Sequence, residues 1–430
     1  MKTDTYPLLQ KLDSNFNKPN NLMLFWAGIL LYMLGYVLSF ANNPIHILCD
    51  LLRVVGIVMF CYNLVILASF KFDNSYFKVL YFFYCFWSLI VVARGLQLNY
   101  VFIKDSLFSP FLGAFLYFTP LILLLKKPPL FYKLLYQIIA CLGILYIILT
   151  FLSLNSLLDA NNIKARDTFE VLVKTLAIPS GFILMTANYH KKTKKSIAFI
   201  TLSIALLLSI YLARRGLMFI CGCAFIFSYF LFILRKKKQL LTIIFGSFMV
   251  LALLFLGLIA FENIENSQFF EKATKRMNED TRSGVEDYYY ADMEFKDYII
   301  GRGMSGLVAA PTAIDNNSDH PGYREGIETD YLNIILKGGV ISLGLLLLIA
   351  VPAMINCFFF SKNTLSKAAG FWILLWIISL YPSTVTTFTL NYILVWLSIG
   401  IGYSFKTRNI PEKSLEKYFN NPSLLIKKLI

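Results

Sequence analysis

Charge is what this chain has least of. Asp, Glu, Lys and Arg make up 15% of its 430 residues, against roughly 25% in an average soluble domain. Acids are scarcer than bases, 25 against 40, and there are three histidines. Cysteine is never found in a hydrophilic stretch: positions 49, 61, 85, 141, 221, 223 and 357 lie in or beside apolar runs. That placement argues against a disulfide framework or a zinc site. There is no Walker loop and no serine-hydrolase elbow, and the triplet Gly301-Arg302-Gly303 lacks the strand that a dinucleotide site requires before it. No internal repeat is visible, which counts against transporter folds built from duplicated halves.

What the chain does have is apolar length. Hydrophobic residues reach 57% and aromatics 16%, and they cluster into long runs. A helix needs roughly 20 apolar residues to cross the hydrocarbon layer, and it satisfies its own backbone, which lipid cannot do. The runs predict an all-α, polytopic transmembrane helix bundle of about twelve spans: 22–41, 51–70, 78–96, 109–125, 133–153, 169–188, 196–212, 216–234, 240–261, 331–360, 368–385 and 387–405. The first run is full length and has no small-residue cleavage site, so it reads as a retained helix.

The net charge of +15 is a topology signal. Of the 40 basic residues, 24 fall in alternate connections and the two termini, including Lys126-Lys127, Lys191 to Lys195 and Arg235 to Lys238. By the positive-inside rule that side is cytoplasmic, and nucleic acid is not an expected partner. Four stretches follow: residues 1–261 with nine spans, an extracytoplasmic loop over 262–330, three more spans over 331–405, and a cytoplasmic tail over 406–430. The loop holds 15 acidic and 7 basic residues. Glu262 to Met277 reads as an amphipathic helix, Val285 to Tyr298 as a second, and the Gly- and Pro-punctuated remainder as irregular.

Ala213-Arg214-Arg215-Gly216 interrupts an apolar stretch from Ile197 to Leu234. Basic clusters at both ends must share a side, so the stretch folds as a helical hairpin whose tip lies at the outer face, with Gly216 suited to the turn. Two arginines there oppose the positive-inside preference and call for an anion nearby. Arg53, Arg94, Arg302 and Arg324 fall at the same rim. Arg binds phosphate oxygens bidentately, so Arg214-Arg215 reads as a diphosphate cradle and the set suggests an anionic substrate approached from outside; snorkelling to headgroups is the alternative. Glu328, Thr329 and Asp330 open the tenth span, where acids suit the helix dipole or supply a general base. His320 is the other base. The aromatic run Tyr288-Tyr289-Tyr290 reads as an interfacial anchor. Asp292-Met-Glu294 is a weak echo of a metal-holding acidic pair and reads better as a solvated helix face.

These features resemble the O-antigen polymerase and O-antigen ligase-like membrane proteins of bacteria (the Wzy type). The shared elements are the many spans, the Arg-Gly turn at 213–216, the late large loop, Gly301-Arg302-Gly303 after a helix, and Glu328-Thr-Asp330-Tyr331-Leu332 before Lys337-Gly338-Gly339. The resemblance covers roughly residues 195–405. Ligase members typically carry histidine then asparagine where this chain has Glu328-Thr329, which favours a polymerase. It implies a GT-C-like membrane glycosyltransferase of the inner membrane, independent of metal and cofactor, acting on undecaprenyl-diphosphate-linked oligosaccharide, with Tyr288, Tyr289, Tyr323 and Asp330 as its sugar contacts. A chain-length regulator and a flippase are implied partners besides membrane lipid. A ligase-type glycan transferase and a lipid-linked oligosaccharide transporter are the competing expectations.

Overall fold

The computed structural model describes residues 16–40, 46–111, 113–157, 163–235, 283–309 and 322–421, together with Leu9 and Asp13. Among them, eight helices are long and apolar enough to cross a membrane. Seven are Pro19–Phe40 (α1), His46–Leu67 (α2), Ser75–Gly95 (α3), Pro129–Leu152 (α4), Lys164–Met185 (α5), Lys192–Tyr211 (α6) and Arg215–Arg235 (α7). Two short helices, Ser283–Asp292 (α8) and Phe295–Ile300 (α9), precede the eighth, Asp330–Phe359 (α10). Thr364–Ser379 (α11) and Leu390–Tyr403 (α12) are shorter and apolar, and Glu412–Asn420 (α13) ends the described chain. This is a helical membrane protein by length and composition of its helices.

Several expectations are revised. The expected span 109–125 is a helix Tyr100–Phe108, a turn, and a short helical stretch Phe115–Leu124 that tightens to 3-10 geometry from Thr119. Pro120 lacks an N–H and cannot continue an α-helical ladder. The expected helix over 285–298 is two helices, α8 and α9, parted at Met293-Glu294. The expected span 240–261 and the helix at Glu262 to Met277 lie outside the described residues. Helix α5 is irregular: a π turn over Val173–Ala177 precedes Pro179, whose ring would otherwise meet the carbonyl one turn back.

Successive helices alternate direction. At one end, called the tail end, Lys126 N–H bonds the Leu67 carbonyl at 3.2 Å and Lys133 Nζ bonds the Asn421 carbonyl at 2.7 Å. Glu412 of α13 accepts from Tyr189 Oη at 3.0 Å and from Thr364 N at 2.6 Å, so it caps α11 and fastens the tail helix. At the loop end, Thr168 reaches the Phe40 carbonyl and Arg214 reaches Asp167. Inside the bundle the helices approach closely because lipid supplies no hydrophobic drive between them and small residues improve packing. A Cβ on Gly28 of α1 would lie 2.7 Å from the Phe60 amide of α2.

Helix α10 is thirty residues long. As one rod it would measure about 45 Å, against ~30 Å of hydrocarbon. It is broken at Gly339, with φ 70° and ψ 179°, into 330–338 and 340–359. The break strips carbonyls of their helical partners, and such groups must be satisfied inside a bundle. The loop after α9 supplies the donors: Arg302 N–H to the Leu336 carbonyl at 2.7 Å and Gly303 N–H to Lys337 at 2.9 Å. Trp87 of α3 adds its indole N–H to Gly338 at 2.9 Å. Backbones are then so close that a Cβ on Gly339 would sit 1.9 Å from the Ile299 carbonyl oxygen. Gly339→Ala is therefore expected to cost about 3 kcal/mol or more, seen as a lower melting temperature in detergent. Gly344→Ala, on the same helix with nothing within 4 Å of the new methyl, should be neutral or slightly stabilising.

His190, at the tail end, is 6% exposed, lies against the ring of Tyr136 and faces Thr186 Oγ1 at 3.1 Å. Burial, aided by Lys194 and Lys195, pushes its pKa down to about 3. The unfolded chain takes up a proton below about pH 6.5 that the folded chain refuses, so stability falls as pH falls. Between pH 7.5 and 5.5 the expected loss is about 1.4 kcal/mol. His190→Gln should flatten the melting-temperature profile over that interval.

Candidate functional site

At the loop end, a cleft of about 610 Å³ opens between Tyr36 of α1, the first turns of α5, the segment 324–328 and Asn333 of α10. Its charged lining is Asp167, Glu170 and Lys174 on one wall and Arg324, Glu325 and Glu328 on the other. Glu170 bonds Lys174 at 2.7 Å and Arg214 at 2.8 Å, and Arg214 also holds Asp167 at 2.7 Å. Lys174 lies over the Phe111 ring, 5.7 Å from its centroid. It sits in the π turn of α5, a distortion that proteins use often at functional positions.

Beneath the cleft is a small cavity of about 60 Å³ lined by Tyr84, Tyr117, Asp330, Lys337 and Ser342. Phe111, Asn333 and Thr384 line both spaces, so the two adjoin. Asn333 shapes the wall above it: its Oδ1 accepts from Ile327 N–H at 2.7 Å and its Nδ2 donates to the Ile327 carbonyl.

The expected arginines separate into two groups. Arg302 is a staple: Nε donates to Asp297 at 2.8 Å, and Nη1 and Nη2 donate to the Asp292 carboxylate and carbonyl at 2.5 Å. Nη1 also reaches the Leu307 carbonyl at 2.8 Å. Four of its five donors are thus held by the loop itself, and Asp292, whose carboxylate also takes Ala309 N–H at 3.2 Å, belongs to that staple. Arg94 donates to the carbonyls of Ile300 and Gly301 at 2.7 and 2.5 Å, pinning the end of α9. Arg53 pairs with Asp50 at 2.5 Å and stacks over Phe108. None of these three lines the cleft, and Arg94 and Arg302 spend their donors on the chain's own carbonyls and carboxylates.

Arg214, Arg215 and Arg324 form the second group. The hairpin turn exists, but its left-handed residue is Ala213 at φ 54°. Gly216 serves close packing instead: a Cβ there would be 2.4 Å from the Pro382 carbonyl oxygen. The turn is thereby pressed on the 380–389 connection, which also takes Asp330 through the N–H groups of Val385 and Thr386 at 3.0 and 2.7 Å. Arg215 is exposed at the head of α7. Arg324, on a two-residue strand (β2, Tyr323–Arg324) paired with Val308–Ala309 (β1), is half-buried and lines the cleft. Among the described residues its Nε is buried with no hydrogen-bond partner, and no carboxylate lies within ion-pair distance.

Glu328 is exposed on the cleft wall, its carbonyl accepting from Thr384 Oγ1 at 3.4 Å. Asp330 is 1% exposed and anchors α10, so it is a structural residue and lies too deep for the sugar contact expected of it. Tyr289 is fully buried with Met293, Val308 and Ile327 in a small satellite core, which removes it as a stacking platform. Tyr288 is half-buried and Tyr323 is 45% exposed. His320 lies outside the described residues.

The sequence reading overlooked Asp167, Glu170, Lys174 and Asn333. A signal was present: Glu170 and Lys174 are opposite charges four residues apart within an apolar run, and ionisable groups there are rare enough to mark function. Compared with models of protein families, with curated proteins and with solved structures, the chain matches none.

Removing the Arg302 staple leaves two half-buried carboxylates unpaired. Arg302→Ala is expected to cost about 2 kcal/mol of stability, read as a lower melting temperature and lower yield. Tyr323→Ala, at an exposed position of the same loop, should stay within about 0.5 kcal/mol.

Proposed function

We propose that the protein is a polysaccharide polymerase, a membrane glycosyltransferase that moves a growing glycan from undecaprenyl diphosphate onto a new lipid-linked repeat unit. The observation that carries this reading is the half-buried Arg324 guanidinium, unpaired among the described residues, on one wall of a cleft that also presents the exposed Glu328. The cleft opens at one rim of an apolar bundle, where a lipid-linked substrate would place its diphosphate. In this reading Arg324 and Arg215 receive the diphosphate, and its leaving charge is stabilised without a metal. Glu328 accepts the proton of the attacking sugar hydroxyl, with His320 the other base. Asp167, Glu170, Tyr36 and Asn333 offer the mixed polar and aromatic lining that a sugar requires. The finer topology belongs to the same proposal: about twelve spans of GT-C-like arrangement, a large extracytoplasmic loop, and both termini in the cytoplasm of a bacterial cell.

One specific observation favours a second reading, transport of a lipid-linked saccharide. Helix α10 is discontinuous at Gly339 beside the buried Lys337, and α5 carries Lys174 in a π turn. Broken helices with ionisable residues are the expected build of a transporter site. The same features lie near the loop end, where they equally shape the cleft of a rim enzyme.

The test is the surface glycan of the host with this gene deleted and then restored as wild type, Arg324→Ala or Glu328→Gln. A polymerase predicts a ladder that collapses to a single repeat unit on deletion. Each variant should fall at least about a hundredfold in polymer yield while keeping wild-type abundance in the membrane. Polymer that persists on its lipid carrier would instead identify a ligase-type transferase. Single lipid-linked units retained on the cytoplasmic side would identify a transporter.

A further inference from the structure

A second large cavity faces the other way. At the tail end, a space of about 830 Å³ lies between the end of α2, the start of α3, the stretch 123–129 and the end of α12. That is the size of a small-ligand site. Its rim is fixed by backbone pairing, Ser69 N–H to the Leu124 carbonyl at 2.6 Å and Lys126 N–H to Leu67 at 3.2 Å. One wall is aromatic, with Phe77 and Tyr403 stacked at 4.3 Å.

Four lysines line this space, Lys18, Lys71, Lys126 and Lys127, against one carboxylate, Asp73. Among the described residues none of the four has a carboxylate within 4.0 Å. Topology alone explains exposed lysines at this end, and Lys18, Lys71 and Lys126 are exposed. It does not explain Lys127. That side chain folds back so that Nζ donates to the carbonyls of Leu123 and Leu125 at 2.7 and 3.0 Å, with one of its three protons left over. Packing around the ammonium pushes its pKa down to about 7. An amine held without a counter-ion on the wall of a basic cavity keeps its proton best when an anion sits beside it, and protonated lysine serves phosphate as a point charge.

We propose that the tail-end cavity bounded by Lys18, Lys71, Lys126 and Lys127 binds a phosphate group, carried by a membrane lipid headgroup or by a soluble phosphate ester. The site is at the opposite end of the bundle from the cleft, and its occupancy does not depend on the polymerase reading.

The experiment uses the full-length protein in neutral detergent. Native mass spectrometry measures binding of phosphatidylglycerol and phosphatidylcholine, and calorimetry measures binding of inorganic pyrophosphate. The proposal expects either phosphatidylglycerol to bind at least tenfold more tightly than phosphatidylcholine, which assigns a lipid headgroup, or pyrophosphate to bind without lipid, which assigns a soluble ester. Lys127→Gln should weaken whichever binding is seen at least fivefold, and Lys127→Arg should restore most of it. Should Lys127→Gln fold poorly, the exposed pair Lys71→Gln with Lys126→Gln carries the same expectation. Lys104→Gln, at the loop end beside Asp50, should change nothing. Equal binding of the two lipids with no pyrophosphate binding overturns the proposal. So does binding that neither Lys127→Gln nor the double variant alters.

Discussion

The interruption of α10 at Gly339 is the constraint on which the loop end depends. A continuous helix would need no loop beside it. A broken one exposes carbonyls at 336, 337 and 338, and each is answered from outside the helix, by Arg302 N–H, Gly303 N–H and the Trp87 indole. Two positive-φ glycines, Gly301 and Gly339, let the two backbones touch. Lys337 then reaches the Gly306 carbonyl at 2.7 Å. The loop is nailed into the bundle by hydrogen bonds that low dielectric makes costly to lose. Residues 322–329 return from this fixed point to the start of α10, and that return is what puts Arg324 and Glu328 on one wall of the cleft.

The same physics sorts the arginines. A guanidinium near an apolar bundle has to find acceptors, and a loop that must be pinned offers many. Arg94 and Arg302 are consumed by carbonyls and carboxylates of the chain itself. Arg214 is held by Asp167 and Glu170, whose charges would otherwise repel an anionic substrate from that wall. Arg324 stands apart, since β2 holds it half-buried where no described carboxylate can meet it. Charge at a membrane rim is therefore a poor guide to substrate contact until its partners are known.

The two ends of the bundle use charge differently. At the loop end, the cleft sets four carboxylates, Asp167, Glu170, Glu325 and Glu328, beside two bases, Lys174 and Arg324. At the tail end, lysines dominate the cavity lining, and Glu412 of α13 accepts from the Tyr189 O–H and the Thr364 N–H. An amphiphile with a phosphate head has a natural seat in the second environment, and a sugar with hydroxyls to satisfy has one in the first.

The sequence alone determined the parts that depend on local composition. Apolar run length dictates helices, and the alternation of Lys-rich connections dictates their antiparallel order, because both follow from the energetics of a backbone and a cation near lipid. The hairpin at 213–216 was legible for the same reason, as was the glycine-rich turn at 301–303. Tertiary structure alone decided what each polar residue does. Tyr289 and Asp330 read as surface groups, yet folding buries the first in a satellite core and the second under the 380–389 connection. The site's Asp167, Glu170 and Lys174 are remote in sequence from Arg324 and are brought to it only by packing. Pairing between distant side chains depends on three-dimensional register, which no pattern along one chain encodes.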